Sequence, residues 1–222
     1  RISEADFQNK APQIREYPRA ATTALNAYTR PITAPYLTRL SQELNKRGFA
    51  SHPLIMMSNG GVLGTETASR FPVRMMESGP AAGALVASYY AERLGLDRLL
   101  SFDMGGTTAK ACLIEDHKPT VTGLFEVDRM YRFKAGSGMP VIIPAIDMIE
   151  IGAGGGSLAS VDALGLLKVG PRSAGSEPGP ACYGRGGENP TVTDADLVLG
   201  LLDADNFLGG DMQLDQAASE AA

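Results

Sequence analysis

Two short segments combine residue types that bind anions. The first is Asp103-Met104-Gly105-Gly106-Thr107-Thr108. A glycine pair lets backbone N–H groups approach an anion with no Cβ in the way. Thr107 and Thr108 add hydroxyl donors. Asp103, at the end of a strand, has the charge to hold Mg²⁺ through water. Together these residues would cradle a phosphate and its metal; a plain glycine turn in a hairpin is the competing reading. The second segment is Gly152-Ala153-Gly154-Gly155-Gly156-Ser157. It reads as a glycine nest for a phosphate or carboxylate, or as a structural tight turn.

Spacing excludes two familiar phosphate loops. A P-loop needs G-x-x-x-x-G-K-[ST] before a helix, whereas Lys110 lies between Ala109 and Ala111 in a predicted strand. Gly152–Ser157 matches the dinucleotide fingerprint only in part, with Ser157 in the third glycine's place. No convincing helix follows it, and no acidic residue closes a second strand about 20 positions on. No G-x-S-x-G occurs, and neither His52 nor His117 has a triad context. Cys182 has no evident base beside it and reads as structural, while Cys112 reads as a core residue of a strand. Glu77, Asp147, Glu150, Glu177, Asp194 and Asp196 are candidate acid–base or metal groups. Most of them read as solvated or as caps, Asp194 near a helix start among them.

The elements that position these groups follow from pattern. Leu99–Phe102, a glycine turn, and Ala109–Ile114 predict a hairpin, not strand–loop–helix. Glu77-Ser78-Gly79-Pro80 opens a helix over Ala81–Leu94, with Ser78 or Gly79 as cap, Pro80 in the first turn and Gly95 as stop. Its stripe of Ala81, Ala84, Ala87 and Ala91 permits close approach to a neighbour. Leu25, Tyr28, Ile32, Tyr36, Leu40 and Leu44 recur at three and four, predicting an amphipathic helix from Thr22 to Arg47. Pro31 and Pro35 predict a kink or break near Arg30–Pro35, and Gly48 the stop. Leu54–Met57 reads as a buried strand ending in the turn Ser58–Gly61, and Glu66–Arg70 as one or two helical turns. Val127–Lys134 alternates weakly, as a strand would. Leu158–Val161 and Leu166–Val169 flank a hairpin turn at Asp162–Gly165. Gly170–Gly187 reads as a long ordered loop or linker, Asp194–Leu202 as a helix capped by Thr193, and the tail after Gly210 as the start of a helix.

Composition bounds the class. With 222 residues, 44% of them hydrophobic, the chain can bury a core. A net charge of −5 argues against nucleic acid as a partner. No apolar run is long enough to span a membrane, and no leader pattern opens the sequence. Two cysteines make no disulfide framework, which suits a reducing, cytoplasmic setting. The opening residues, Arg1 onward, read as the interior of a larger protein.

Seven stretches carry a family resemblance: IREYPRAATTALNAYTRP, LIMMSNGGV, ESGPAAGALVA, SFDMGGTTAK, IGAGGGSLA, GPRSAGSEPGPACYGRGG and PTVTDADLVLG. From about Ile14 to Asp215 the chain resembles the central part of the A subunit of ATP-dependent hydantoinases. That family includes 5-oxoprolinases and subunits of acetone and acetophenone carboxylases. The resemblance implies an α/β fold: a ribonuclease-H-like lobe of the actin, sugar-kinase and chaperone-ATPase type. Such a lobe has a mixed sheet, a β-hairpin phosphate motif and flanking helices. Here helices and a connecting segment would occupy 1–97, and the hairpin and glycine loop 98–210.

The implied activity is ATP cleavage coupled to opening of a cyclic amide or imide ring. The implied alternatives are a ketone carboxylase subunit and a degenerate nucleotide-binding scaffold. Asp103 would be the catalytic and metal residue, holding Mg²⁺ or orienting the nucleophile. Gly105, Gly106, Thr107 and Thr108 would contact phosphates, and Gly154, Gly155, Gly156 and Ser157 would close on phosphates or substrate. A B-type subunit is the implied partner. Two departures stand out. Relatives often read DMGGTSTD, with an acid where this chain has Lys110, and the first phosphate motif and the adenosine loop of the superfamily are absent from this sequence. The chain alone is therefore expected to bind nucleotide weakly and to be inactive.

Overall fold

The structure is a computed structural model that describes residues 15–130 and 136–222. Part of the predicted strand Val127–Lys134 lies outside the described residues. The chain divides into two compact units. The first takes residues 1–101 and 112–147, and the second 102–111 and 148–222.

In the first unit a 31-residue helix, α1 (Glu16–Lys46), leads to the hairpin β1 (Leu54–Met56) and β2 (Val62–Gly64). Helix α2 (Thr65–Arg70), a 3-10 turn (Pro72–Met75) and helix α3 (Ser78–Leu94) follow. Strands β3 (Arg98–Met104) and β4 (Ala109–Glu115) are neighbours in one sheet, and their tip, residues 102–111, belongs to the second unit. Short antiparallel pieces complete the first unit. β5 (Lys118–Pro119) pairs with β4, β6 (Val121–Thr122) with β9 (Ala145–Ile146), and β7 (Phe125–Val127) with β8 (Met139–Val141).

α1 is continuous through Pro31 and Pro35, so the predicted break does not occur. Each proline withholds one N–H from the helix ladder, but the helix is anchored on both sides of them. On one side Asn26 donates to the Arg70 carbonyl (3.2 Å) and accepts from the Val73 N–H (3.3 Å), while Thr22 Oγ1 accepts from the Ile142 N–H (2.8 Å). On the other side Leu37 is buried. Only part of the expected face turns inward: Leu25, Leu40 and Leu44 are half-buried, while Tyr28, Ile32 and Tyr36 are exposed. Tyr28 and Ile32 are 78% and 76% exposed, whereas Ala21, Thr22, Thr23, Asn26 and Leu37 are buried. Buried backbone groups of the neighbouring segments need partners, and Thr22 and Asn26 supply them.

α3 buries Ala81, Ala84 and Ala91 and ends at Gly95 in the left-handed region (φ 64°). Its N-cap is Glu77, ahead of the expected Ser78 or Gly79, with no side-chain cap bond. The core of this unit joins Val73, Val141 and Ile143 to the half-buried Leu25, Met76, Phe125 and Val127.

The second unit adds β10 (Ile149–Ile151) antiparallel to β4, then the hairpin β11 (Ser157–Val161) and β12 (Leu167–Ser173). Helix α4 (Val192–Val198) and helix α5 (Gln216–Ala221) follow. Its core is Cys182, Leu197 and Leu214, with Tyr183, Phe207 and Met212 against them. Asp162 turns the β11–β12 hairpin by accepting from the Leu164 and Leu166 N–H groups (2.9 and 3.0 Å). α4 starts two residues earlier than predicted. Its cap is Thr191, not Thr193, because Thr191 and Asp194 form a reciprocal capping box. Among the described residues, no helix is long and apolar enough to cross a membrane.

Candidate functional site

The two glycine segments meet within the second unit. At the hairpin tip the Gly105 N–H donates to the Thr108 carbonyl (2.9 Å), closing the turn. The carbonyls of Gly105 and Gly106 accept from the N–H groups of Gly155 (2.9 Å) and Gly156 (2.8 Å). Gly154 passes so close that a Cβ there would stand 2.5 Å from the Gly105 oxygen. It would stand 2.6 and 2.7 Å from the nitrogens of Thr107 and Thr108. Only glycine fits that approach, and any side chain would press on those two amides.

The loop and the turn differ in hydrogen-bond state. The Gly154 N–H donates to Ser157 Oγ (2.9 Å) and the Ser157 N–H to the Gly154 carbonyl (2.9 Å). With Gly155 and Gly156 committed to the turn, every N–H from Gly154 to Ser157 has a protein acceptor. Among the described residues, none accepts from the N–H of Gly106, Thr107 or Thr108. Asp103, Gly105, Gly106 and Thr107 are exposed, and Thr108 is half-buried. The open donors of this region therefore belong to the turn, and the loop backs it.

Behind the loop stands α4. The Thr193 N–H (2.8 Å) and Thr193 Oγ1 (2.9 Å) both donate to the Gly155 carbonyl. Asp194 is 2% exposed. It accepts from the N–H groups of Ala181 (3.2 Å), Cys182 (2.8 Å) and Thr191 (3.0 Å), and from the hydroxyls of Thr191 (2.7 Å) and Ser219 (2.9 Å). Burial by itself would raise its pKa, but the bonds from Cys182, Thr191 and Ser219 outweigh that and hold the carboxyl below the ordinary range. Next to it, burial and then the Asp194 carboxylate push the Cys182 thiol up to about 11. Burial and the charge of Asp147 push the Cys112 thiol up as well. Both cysteines stay as thiols at neutral pH, as inert core groups do.

Sequence pattern marks Thr193 as a helix cap and Asp194 as a carboxylate near a helix start, and ties neither to the glycine segments. The signal that marks the Thr191–Asp194 capping pair is Thr191-Val192-Thr193-Asp194, an [ST]-x-x-[DE] pattern; no sequence signal marks the bond from Thr193 to Gly155. Lys110 sits 4.0 Å from its cross-strand neighbour Glu150. Among the described residues, no group of three His, Cys, Asp or Glu side chains could hold a metal. Asp103 is an exposed carboxylate at the edge of the turn. That donor set fits Mg²⁺ as it binds nucleotides, through one or two carboxylates and the phosphate oxygens.

The fold recurs in solved structures. The chain aligns with the nucleotide-free structure of an ATP-dependent acetone carboxylase (TM-score 0.73, 29% identity) over 96% of its length and 29% of that chain. It aligns with the crystal structure of the ATP-dependent caprolactamase from Pseudomonas jessenii (TM-score 0.69, 37% identity) over 96% of its length and 30% of that chain. The fold is accordingly an α/β lobe of the actin-like ATPase type. The chain belongs to the hydantoinase/oxoprolinase family, which it matches over residues 19–222. An uncharacterized protein of Methanocaldococcus jannaschii is 43% identical over 95% of this chain and 31% of its own length. The chain spans between 14% and 31% of the length of curated relatives that it matches.

Proposed function

We propose that this chain supplies a phosphate-binding hairpin to an ATP-dependent enzyme that opens a cyclic amide or imide ring. The observation that carries the reading is the turn itself. Residues 103–108 carry three amides with no acceptor among the described residues, two threonine hydroxyls and an exposed carboxylate, backed by a loop whose N–H groups from Gly154 to Ser157 are all engaged. Donors fixed before the ligand arrives stabilise charge without reorganising, which is what transfer of a phosphoryl group requires.

In this reading the Gly106, Thr107 and Thr108 N–H groups hold phosphate oxygens, and Asp103 holds Mg²⁺. The metal, when bound, neutralises charge on the triphosphate. The substrate amide oxygen takes the γ-phosphoryl group as ADP leaves. Water then adds to the activated carbon, the ring C–N bond breaks and phosphate departs. The balance is ATP, water and cyclic amide in, and ADP, phosphate and an open-chain amino acid out. A partner subunit of the B type belongs to the proposal, since matching relatives are named as subunits of caprolactamase and acetone carboxylase. The likeness to acetone carboxylase supports a second reading, in which the same phosphoryl transfer activates a ketone for carboxylation.

The test uses the full-length protein with the subunit that copurifies with it. ADP release is measured with hydantoin, 5-oxoproline, caprolactam, and acetone plus bicarbonate. Ring-opening substrates are expected to stimulate it, and stimulation by acetone plus bicarbonate alone would select the carboxylase. Asp103→Ala is expected to lower turnover on the order of 100-fold. Unchanged turnover in that variant overturns the site.

A further inference from the structure

The geometry points to Thr193 as a positioning residue that aims the Thr107 amide, acting through two peptide planes. This deepens the proposed function and rests on the reading that the 103–108 turn holds phosphate.

A trans peptide is planar, with its C=O and N–H on opposite sides. Fixing the carbonyl therefore fixes the direction of the N–H that follows it. Among the described residues cis bonds fall at Gly170–Pro171 and Glu177–Pro178, so the Gly155–Gly156 and Gly106–Thr107 peptides are trans. The Gly155 carbonyl and the Gly156 N–H share one plane. Thr193 grips the carbonyl side with two donors, its N–H at 2.8 Å and Oγ1 at 2.9 Å. The N–H side donates to the Gly106 carbonyl at 2.8 Å. That carbonyl shares its plane with the Thr107 N–H, one of the unengaged donors of the turn. A parallel relay runs from the Ser157 N–H to the Gly154 carbonyl (2.9 Å), and from the Gly155 N–H to the Gly105 carbonyl (2.9 Å). It ends on the Gly106 N–H.

Each relay orders a plane and also polarises it, since aligned hydrogen bonds strengthen one another. The two differ in origin. The Ser157 relay begins inside the glycine loop, whereas the Thr193 relay begins on a helix, with a buried side chain as its first donor. Thr193 is therefore the point at which the helix sets the direction of a ligand-facing amide. Gly155 keeps the grip close, because a Cβ there would stand 2.8 Å from Thr193 Oγ1.

The experiment compares wild type, Thr193→Ser, Thr193→Val, Gly155→Ala and Asp103→Asn in the full-length protein with its copurifying subunit. Readouts are kcat and KM for ATP, with thermal unfolding in parallel. Thr193→Val keeps the shape and the N–H but loses the hydroxyl bond. It is expected to lower kcat/KM for ATP about tenfold, the worth of one such bond, while Thr193→Ser stays within about twofold. Gly155→Ala pushes the grip apart from the other side and is expected to match or exceed the valine variant, which covers the case in which Thr193→Val does not fold. A valine variant less stable to heat but with wild-type kcat and KM for ATP makes Thr193 only structural and overturns the inference. Asp103→Asn separates the two levels. If it abolishes turnover while Thr193→Val and Gly155→Ala do not touch the ATP parameters, the relay fails and the site stands. If Asp103→Asn is silent, the site reading itself fails.

Discussion

The hairpin tip and the network behind it are made from the same residue types used to opposite ends. Asp103, Gly106, Thr107 and Thr108 form the tip, and among the described residues nothing accepts from the N–H groups of the last three. Asp194, Gly154, Gly155, Gly156, Thr191 and Thr193 form the backing, where these groups are bonded to one another and to their neighbours. An aspartate at an exposed turn keeps its charge available. An aspartate at 2% exposure with five donors is a rivet. Composition does not separate open donors from engaged ones; the partner of each N–H does.

The contact between the two segments is the first place to break the comparison. Gly154→Ala is expected to have the largest effect, because its Cβ must displace backbone atoms at 2.5–2.7 Å. A rigid neighbour cannot give way as a flexible side chain would. Turnover of ATP by the full-length protein should fall at least on the order of 100-fold, with a lower melting temperature. A variant with wild-type kinetics would mean that loop and turn are not packed as described.

Asp194→Asn sharpens the other side. The amide nitrogen would face N–H and O–H donors, leaving some of them unpaired in the core. The expected loss is about 3 kcal/mol in a urea melt. The acid limb carries a second signature. Because the folded pKa lies below the ordinary value of 3.8, the carboxylate's contribution is present above that value and is lost as pH falls through the lower folded one. The asparagine variant should show a shallower acid-side loss. An equal slope would show that Asp194 is not the buried charge in question.

How much of the molecule is legible in its sequence varies with the range of the forces. The hairpin, the 103–108 turn, the alanine face of α3, the Asp162 turn and the inert cysteines follow from local pattern, and local pattern is what sequence displays. The face of α1 is only partly legible: Leu25, Leu40 and Leu44 turn inward as their spacing predicts, but periodicity does not report which backbone groups a neighbour leaves unpaired. Thr22 and Asn26 meet partners 120 and 44 positions away, and no spacing rule marks those pairs. The glycine loop reads as a ligand nest for a similar reason. Glycines announce close approach, but not whether the approaching group is an anion or another stretch of the same chain. Gly154 answers to Gly105, Thr107 and Thr108.

The smallest expected effect tests how closed the backing network is. The ordinary thiol value is 9.0, and Cys182 is pushed up to about 11, by burial first and then by the bond and charge of Asp194. The folded chain thus binds this proton more tightly than the unfolded chain does. The stability that comes with it is fully present below pH 9.0 and is lost as pH rises toward about 11. Cys182→Ser removes the titration and should flatten the alkaline limb of a stability–pH curve, with neutral-pH turnover nearly unchanged. Asp194→Asn should also flatten it, since the carboxylate charge is one cause of the shift. If Cys182→Ser leaves the alkaline limb as steep as wild type, the thiol is reached by solvent. The contrast between an open tip and a closed backing would then hold for the glycine loop and α4 but not for the Cys182 turn.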